Sequence, residues 1–231
     1  TDNYAAALDS GNVDEAIEQV EALYSGELGS ANSAKTIEEF QAQLRSIDRQ
    51  TGQTPAVVYI LSRSQQIDLI VIPAEGEPQY VRVPNVTNEA LMLTIKEFRT
   101  NLTNPRKRNS DSYMPSARQL YGWLIATIEA QLQAAGVNTL VFSMDSGLRT
   151  LPIAALHDGE QFLVEKYSIG FIPSMSLTPT NYSSLKTARV LAMGMSQFEE
   201  QNPLPAVPTE LSTIVKDLSF AKAQGTPLVR L

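Results

Sequence analysis

Cysteine is absent from all 231 residues, which removes disulfides, thiolate metal sites and a cysteine nucleophile together. Histidine occurs once, as His157, and a lone imidazole with neither nucleophile nor second ligand completes no triad and no metal shell. No apolar run approaches the roughly 18 residues of a membrane-spanning helix. The opening Thr1-Asp2-Asn3-Tyr4 lacks a basic segment followed by an apolar one, so no signal peptide is expected, and a start without Met reads as a processed or excised piece. Positive charge is in deficit: 18 Lys and Arg against 25 Asp and Glu give a formal net charge of −7. That balance opposes a general nucleic-acid or anionic-membrane role, since both partners require broad positive potential. Phosphate-cradling motifs are missing too, with no Gly-x-Gly-x-x-Gly and no Gly-Lys-Ser/Thr after a strand. Gly194-Met195-Ser196-Gln197-Phe198 lacks the second glycine of a nucleophile elbow.

What is present is ordinary globular material, 43% hydrophobic and 19% charged, long enough for one α/β domain with a helical appendage or for two small domains. Asn12 and Glu15 stand at capping-box spacing beside Val13, Ile17, Val20 and Tyr24, whose steps of three and four mark one helical face. Thr36 and Glu39 repeat the device around Ile37, Phe40, Leu44 and Ile47, until Gly52 stops that helix. These two helices, joined by a linker over 25–33, are expected to pair antiparallel. Residues 6–16 resemble the tail of a tetratricopeptide repeat, without a second copy.

From Pro55 the period shortens. Residues 56–61 and 67–72 are β-branched runs separated by a turn, the pattern of a hairpin, and 79–83 adds a third strand. Thr87 caps a helix carrying Leu91, Ile95, Phe98 and Leu102, which Asn104 ends. Residues 104–115, with Arg106-Lys107-Arg108, read as an exposed and mobile loop. Ser116 opens the longest expected helix, through Leu120, Leu124, Ile128 and Leu132 to Gly136, with Tyr121 and Trp123 read as core aromatics. Strands over 137–143 and 188–193 and a helix over 207–218 complete an alternation of helix and strand. The pattern predicts an α/β sheet covered by helices on both faces, with parallel pairing in its interior and antiparallel strands at its edge.

The stretch 140–174 reads LVFSMDSGLRTLPIAALHDGEQFLVEKYSIGFIPS. It resembles the signature of the CHAT family of caspase-like proteins, an apolar strand, an Asp-Gly turn, Leu-x-x-Leu-Pro-aromatic-x-Ala-Leu, Asp-Gly, aromatic-Leu, Glu-x-Tyr and Pro-Ser. Those places fall on Asp145, Leu148, Leu151, Pro152, Ala155, Leu156, Asp158, Gly159, Phe162, Leu163, Glu165, Tyr167, Pro173 and Ser174. Ser146 stands where Gly usually follows the Asp, and Ile153 where an aromatic usually follows the Pro. The resemblance covers roughly 52–218. Physically the motif needs no catalytic explanation: Gly147 and Gly159 suit tight turns, while Leu151, Ile153, Leu163 and Tyr167 suit the two strands of a hairpin. Pro152 then requires a strand edge or a bulge.

The resemblance implies a caspase-like sheet flanked by helices and a His-Cys dyad, with imidazole holding a thiolate against a peptide carbonyl. Both dyad residues are expected beyond Leu231, so no catalytic, cofactor-binding or metal residue is assigned within the chain. His157 reads as a polar turn residue. Asp145, His157, Asp158 and Glu160 read as turn formers rather than cation ligands, for no EF-hand or octahedral spacing appears. The expected organisation is a helical segment over 1–51 and the N-terminal part of a CHAT domain over 52–231. Two readings of function stand. One is a non-catalytic portion of a bacterial CHAT-family cysteine peptidase of the caspase clan; the other is a degenerate CHAT domain used as an interaction scaffold. Expected partners are proteins, as partners or substrate, with no nucleic acid, no membrane and no cofactor. An open sheet edge near Val190 is expected either to mediate self-association or to be covered by the chain's own tail, and the cytoplasm is the default location.

Overall fold

A computed structural model describes residues 3–29, 35–107, 109–145, 147–179 and 192–217. The chain divides into two compact units, Thr1–Asn181 and Tyr182–Leu231.

The first unit is built on β1 (Pro55–Ser62), β2 (Gln66–Pro73), β3 (Gln79–Pro84), β4 (Thr139–Met144) and β5 (Ser168–Phe171), in the order β3-β2-β1-β4-β5. β1 pairs antiparallel with β2 and parallel with β4, which pairs parallel with β5; β2 and β3 are antiparallel. β1 and β2 are almost continuously buried, as strands covered on both faces must be. One face places Ala56, Val58, Ile60, Leu69, Leu140 and Phe142 against α4 (Asn88–Thr103), α5 (Met114–Leu124) and α6 (Glu129–Ala134). The other places Val57, Tyr59, Leu61, Ile70 and Ile72 against α1 (Asn3–Asp9), α2 (Val13–Glu27) and α3 (Ile37–Thr51). The double cover and the mixed pairing are those the periodicity predicts.

Local chemistry sets the helix starts. Asn12 accepts from the Glu15 N–H, Thr36 and Glu39 complete a reciprocal capping box, and Thr87 accepts from the Ala90 N–H. Gly52 ends α3 in the left-handed conformation, φ +69°, where a Cβ carries a penalty. α2 packs on α1 around the Gly11 turn and α3 rests on β1 and β2, and Ile17, Val20 and Tyr24 of α2 share one buried cluster with Phe40 and Leu44 of α3.

The expected long helix is instead two. At 125–128 the Ala126 N–H bonds back five residues to the Tyr121 carbonyl, and Ile128 bonds only three back to Ile125. Leu124, Ile125 and Ile128 are all fully buried at the break. β4 starts at Thr139 rather than Val137, because the Val137 N–H closes the end of α6 on the Leu132 carbonyl while Asn138 and Thr139 bond to Thr54.

The signature also departs from the expected hairpin. After β4 come a 3₁₀ turn (Ile153–Ala155), a lone bridge between His157 and Phe162, and α7 (Leu163–Lys166), followed by β5. Pro152 precedes the 3₁₀ turn rather than occupying a strand edge, so its missing N–H faces no ladder.

In the second unit α8 (Val207–Asp217) matches the helix expected over 207–218. The expected strand over 188–193 falls mostly outside the described residues, as does the proposed open edge at Val190; Ala192 and Met193 are in no strand. Among the described residues no helix is long and apolar enough to cross a membrane.

Candidate functional site

In open α/β sheets, binding crevices form outside the carboxyl ends of the parallel strands. Here that edge carries Ser62 at the end of β1, Asp145 after β4 and Pro173-Ser174 after β5. Asp145 accepts from the backbone N–H groups of Ser62 (3.2 Å), Gly147 (3.1 Å) and Leu148 (3.2 Å), tying the β4 exit to β1. Burial holds its carboxyl above the usual range despite these three bonds. Arg149 donates to the Met144 carbonyl, pairs with Glu27 at 3.2 Å and lies over the Tyr24 ring. The Tyr24 hydroxyl and the Ser143 Oγ are buried there without a hydrogen-bond partner among the described residues.

Beneath the β5 exit lies a fully buried carboxylate, Glu21 on α2. Its Oε1 accepts from the Tyr59 hydroxyl (2.7 Å) and the Met175 N–H (3.1 Å), and its Oε2 from the Ser174 hydroxyl (2.7 Å) and the Ser176 N–H (2.7 Å). Burial first, and the Glu21 charge second, push the Tyr59 hydroxyl well above its ordinary range, so it stays a donor.

The signature turn holds a second polar group. Asp158 Oδ1 accepts from the Glu160 (2.7 Å) and Gln161 (2.8 Å) N–H groups, and Oδ2 lies 3.0 Å from Lys166 Nζ. The Gln161 bond leads in lowering its carboxyl to about 2. Lys166 also donates to Glu129 and to the Tyr121 hydroxyl. Burial opposes its charge, yet these partners outweigh that and raise it. Gly159 follows at φ +116°, and Glu165 accepts from the Phe162 N–H at 2.6 Å to start α7.

His157 is 8% exposed, its Nδ1 accepts from the Gly159 N–H at 2.9 Å, and its ring stands edge-on to Phe162. The structure therefore uses it inside the turn. Asp145, His157, Asp158 and Glu160 are not gathered: among the described residues no three His, Asp or Glu side chains form a group able to hold a metal ion. Leu148, Leu151, Leu156 and Leu163 fill the core, whereas Ala155 and Phe162 line a groove.

Sequence reasoning missed Glu21, Tyr59, Glu129, Arg149 and Lys166. Glu21 carried a readable signal: it is a charged residue next to Val20 on the stripe Ile17, Val20, Tyr24. The remaining feature of note is a groove of about 720 Å³ beside the signature turn, between the end of α4, the start of α5 and α7.

An open mixed sheet with helices on both faces, and a signature segment joining its last two parallel strands, defines an α/β domain with an unclosed sheet. Residues 114–227 match the family model of the CHAT domain. The match begins at α5, later than the resemblance over 52–218, although β1 and β4 form one continuous ladder. No curated protein matches the chain.

Proposed function

We propose that this chain is a non-catalytic portion of a CHAT-family cysteine peptidase, supplying the sheet framework and a surface for protein partners. The His-Cys dyad of that enzyme then comes from polypeptide beyond Leu231, in a bacterial cytoplasmic protein. The observation that carries this reading is the use of polar groups at the carboxyl edge. Asp145, Glu21 and Ser174 are committed to hydrogen bonds that fix backbone and neighbouring side chains. His157 is spent within its own turn, and there is no cysteine in the chain. Such a constellation holds loops in place and has no nucleophile–base pair.

A second reading, a CHAT domain serving purely as an interaction module, is favoured by the groove beside the signature. Self-association through a sheet edge fits either reading, since the outer edges of β3 and β5 have no strand partner among the described residues.

The purified chain, incubated with a degenerate fluorogenic peptide library, is expected to show no turnover. Turnover that survives His157→Ala and contaminant controls sinks the non-catalytic reading. Reading the parent gene past Leu231 separates the two alternatives. A strand ending in His-Gly followed by a later strand ending in Cys supports the peptidase, and loss of both supports the module.

A further inference from the structure

Charge is unevenly distributed along this acidic chain. Between Lys96 and Arg118 there are six Lys or Arg and two Asp or Glu, a net of +4, whereas the remainder holds 12 basic and 23 acidic residues, a net of −11. Among the described residues, the cations of this stretch also stand outside any ion pair. Arg45, Arg63, Arg82, Arg149 and Lys166 each stand within ion-pair distance of a carboxylate. Lys96, Arg99, Arg106, Lys107 and Arg118 form no ion pair among the described residues.

This stretch forms one side of the groove. Lys107 lines it, with Arg106 next in the chain, and Arg99 lies one turn before Leu102 and Thr103, which also line it. The other walls are apolar: Leu102 is 36% and Val164 56% exposed, and Tyr113 stacks on Phe162 at 6.4 Å. Lys107 Nζ gives one hydrogen bond, to Asn101 Oδ1 at 2.6 Å, and an ammonium has three to give.

An occupant must therefore offer two things at once, apolar surface to dehydrate Leu102, Phe162 and Val164, and carboxylates for the idle cations. Single-stranded nucleic acid needs aromatic faces free for stacking, but Tyr113 and Phe162 stack on each other, and the acidic remainder of the chain repels a polyanion. We propose that this groove docks a short acidic peptide segment of a partner protein. An aliphatic or aromatic side chain sits between Leu102, Phe162 and Val164, and neighbouring Asp or Glu side chains meet Lys107 and Arg106. The assignment goes beyond the function proposed above and stands whether or not the parent protein cleaves peptides.

The test is a phage-displayed random octapeptide library panned on the purified chain, with selected sequences resynthesised and titrated by fluorescence anisotropy. Selected peptides are expected to combine Asp or Glu with Leu, Phe or Tyr. Their affinity should fall at least tenfold in Val164→Glu, at least fivefold in the double variant Arg106→Glu/Lys107→Glu, and not in Arg49→Glu. All three variants change exposed positions, and circular dichroism checks that each is folded. Failure to enrich any peptide, enrichment without acidic residues, or equal binding to Val164→Glu overturns the proposal. So does tighter binding of an oligo-dT or of anionic vesicles than of the selected peptides.

Discussion

Ser174 donates its hydroxyl to Glu21 at 2.7 Å, joining residues 153 positions apart in the sequence. The bond ties the last element of the CHAT signature to the helical layer before the sheet. Because Glu21 also receives Tyr59 from β1 and the N–H groups of Met175 and Ser176, one carboxylate fixes where the chain turns after β5. The helices over 3–51 therefore take part in shaping the carboxyl edge, beyond covering a face of the sheet.

Glu21→Gln should be markedly destabilising. A carboxylate offers two acceptor oxygens to four donors, whereas the amide keeps one oxygen and turns an NH₂ toward groups that are themselves donors. Leaving buried donors unmatched costs about 2–3 kcal/mol. The urea unfolding midpoint should drop accordingly, while the exposed control Glu18→Gln should barely move. Equal midpoints for the two variants mean that Glu21 does not act as a latch.

Asp158 predicts an acid-side loss of stability. Its folded pKa of about 2 lies below the usual carboxylate value, so the folded state favours the ionised form. The contribution is fully present above about pH 4 and is lost as pH falls toward 2. The carboxylate is 19% exposed but sits on an exposed turn, so with solvent screening it is worth about 1 kcal/mol. Asp158→Asn should flatten the stability profile between pH 4 and 2 relative to the unaltered protein, measured by thermal melts in matched buffers. An unchanged acid limb shows that the Lys166 and backbone contacts are worth nothing.

Features decided within a few residues were legible in the sequence. The caps at Asn12, Thr36 and Thr87 and the β1–β2 hairpin follow from side chains adjacent to the backbone groups they serve. The break at 125–128 was not legible, because Leu120, Leu124, Ile128 and Leu132 keep helical spacing straight through it. The signature misled for a similar reason: Leu151, Ile153, Leu163 and Tyr167 fit strands by spacing, yet Ile153 reaches the core from a 3₁₀ turn and Leu163 from a short helix. At the site, the turn roles of Asp145 and Asp158 were readable, whereas Glu21 and Lys166 gain their meaning only from partners 153 and 37 residues away.

Asn101 controls the basic loop. Its amide nitrogen donates to the Ser112 carbonyl at 3.0 Å and its oxygen accepts from Lys107 Nζ, so the loop expected to be mobile is pinned at two points. Asn101→Ala removes both bonds at a cost of about 1–2 kcal/mol. Limited trypsin digestion should then cut after Arg106 or Lys107 several-fold faster than in the unaltered protein. No change in rate at these bonds means that the loop is held by something other than Asn101.

Gly194 makes the last prediction, within the second unit. A Cβ built there meets Val207 Cγ1 at 2.6 Å and Leu211 Cδ1 at 3.1 Å, both on α8. The first contact is shorter than any real Cβ tolerates, and Val207 has a stiff, β-branched side chain with little room to rotate away. Gly194→Ala must therefore displace α8 or its neighbour, an overpacking cost of about 1–3 kcal/mol. Amide hydrogen exchange within α8 should accelerate in proportion, while exchange in β1 and β4 of the first unit stays as it was. Unaltered protection of α8 in Gly194→Ala would show that Gly194 and Val207 are not packed together in solution.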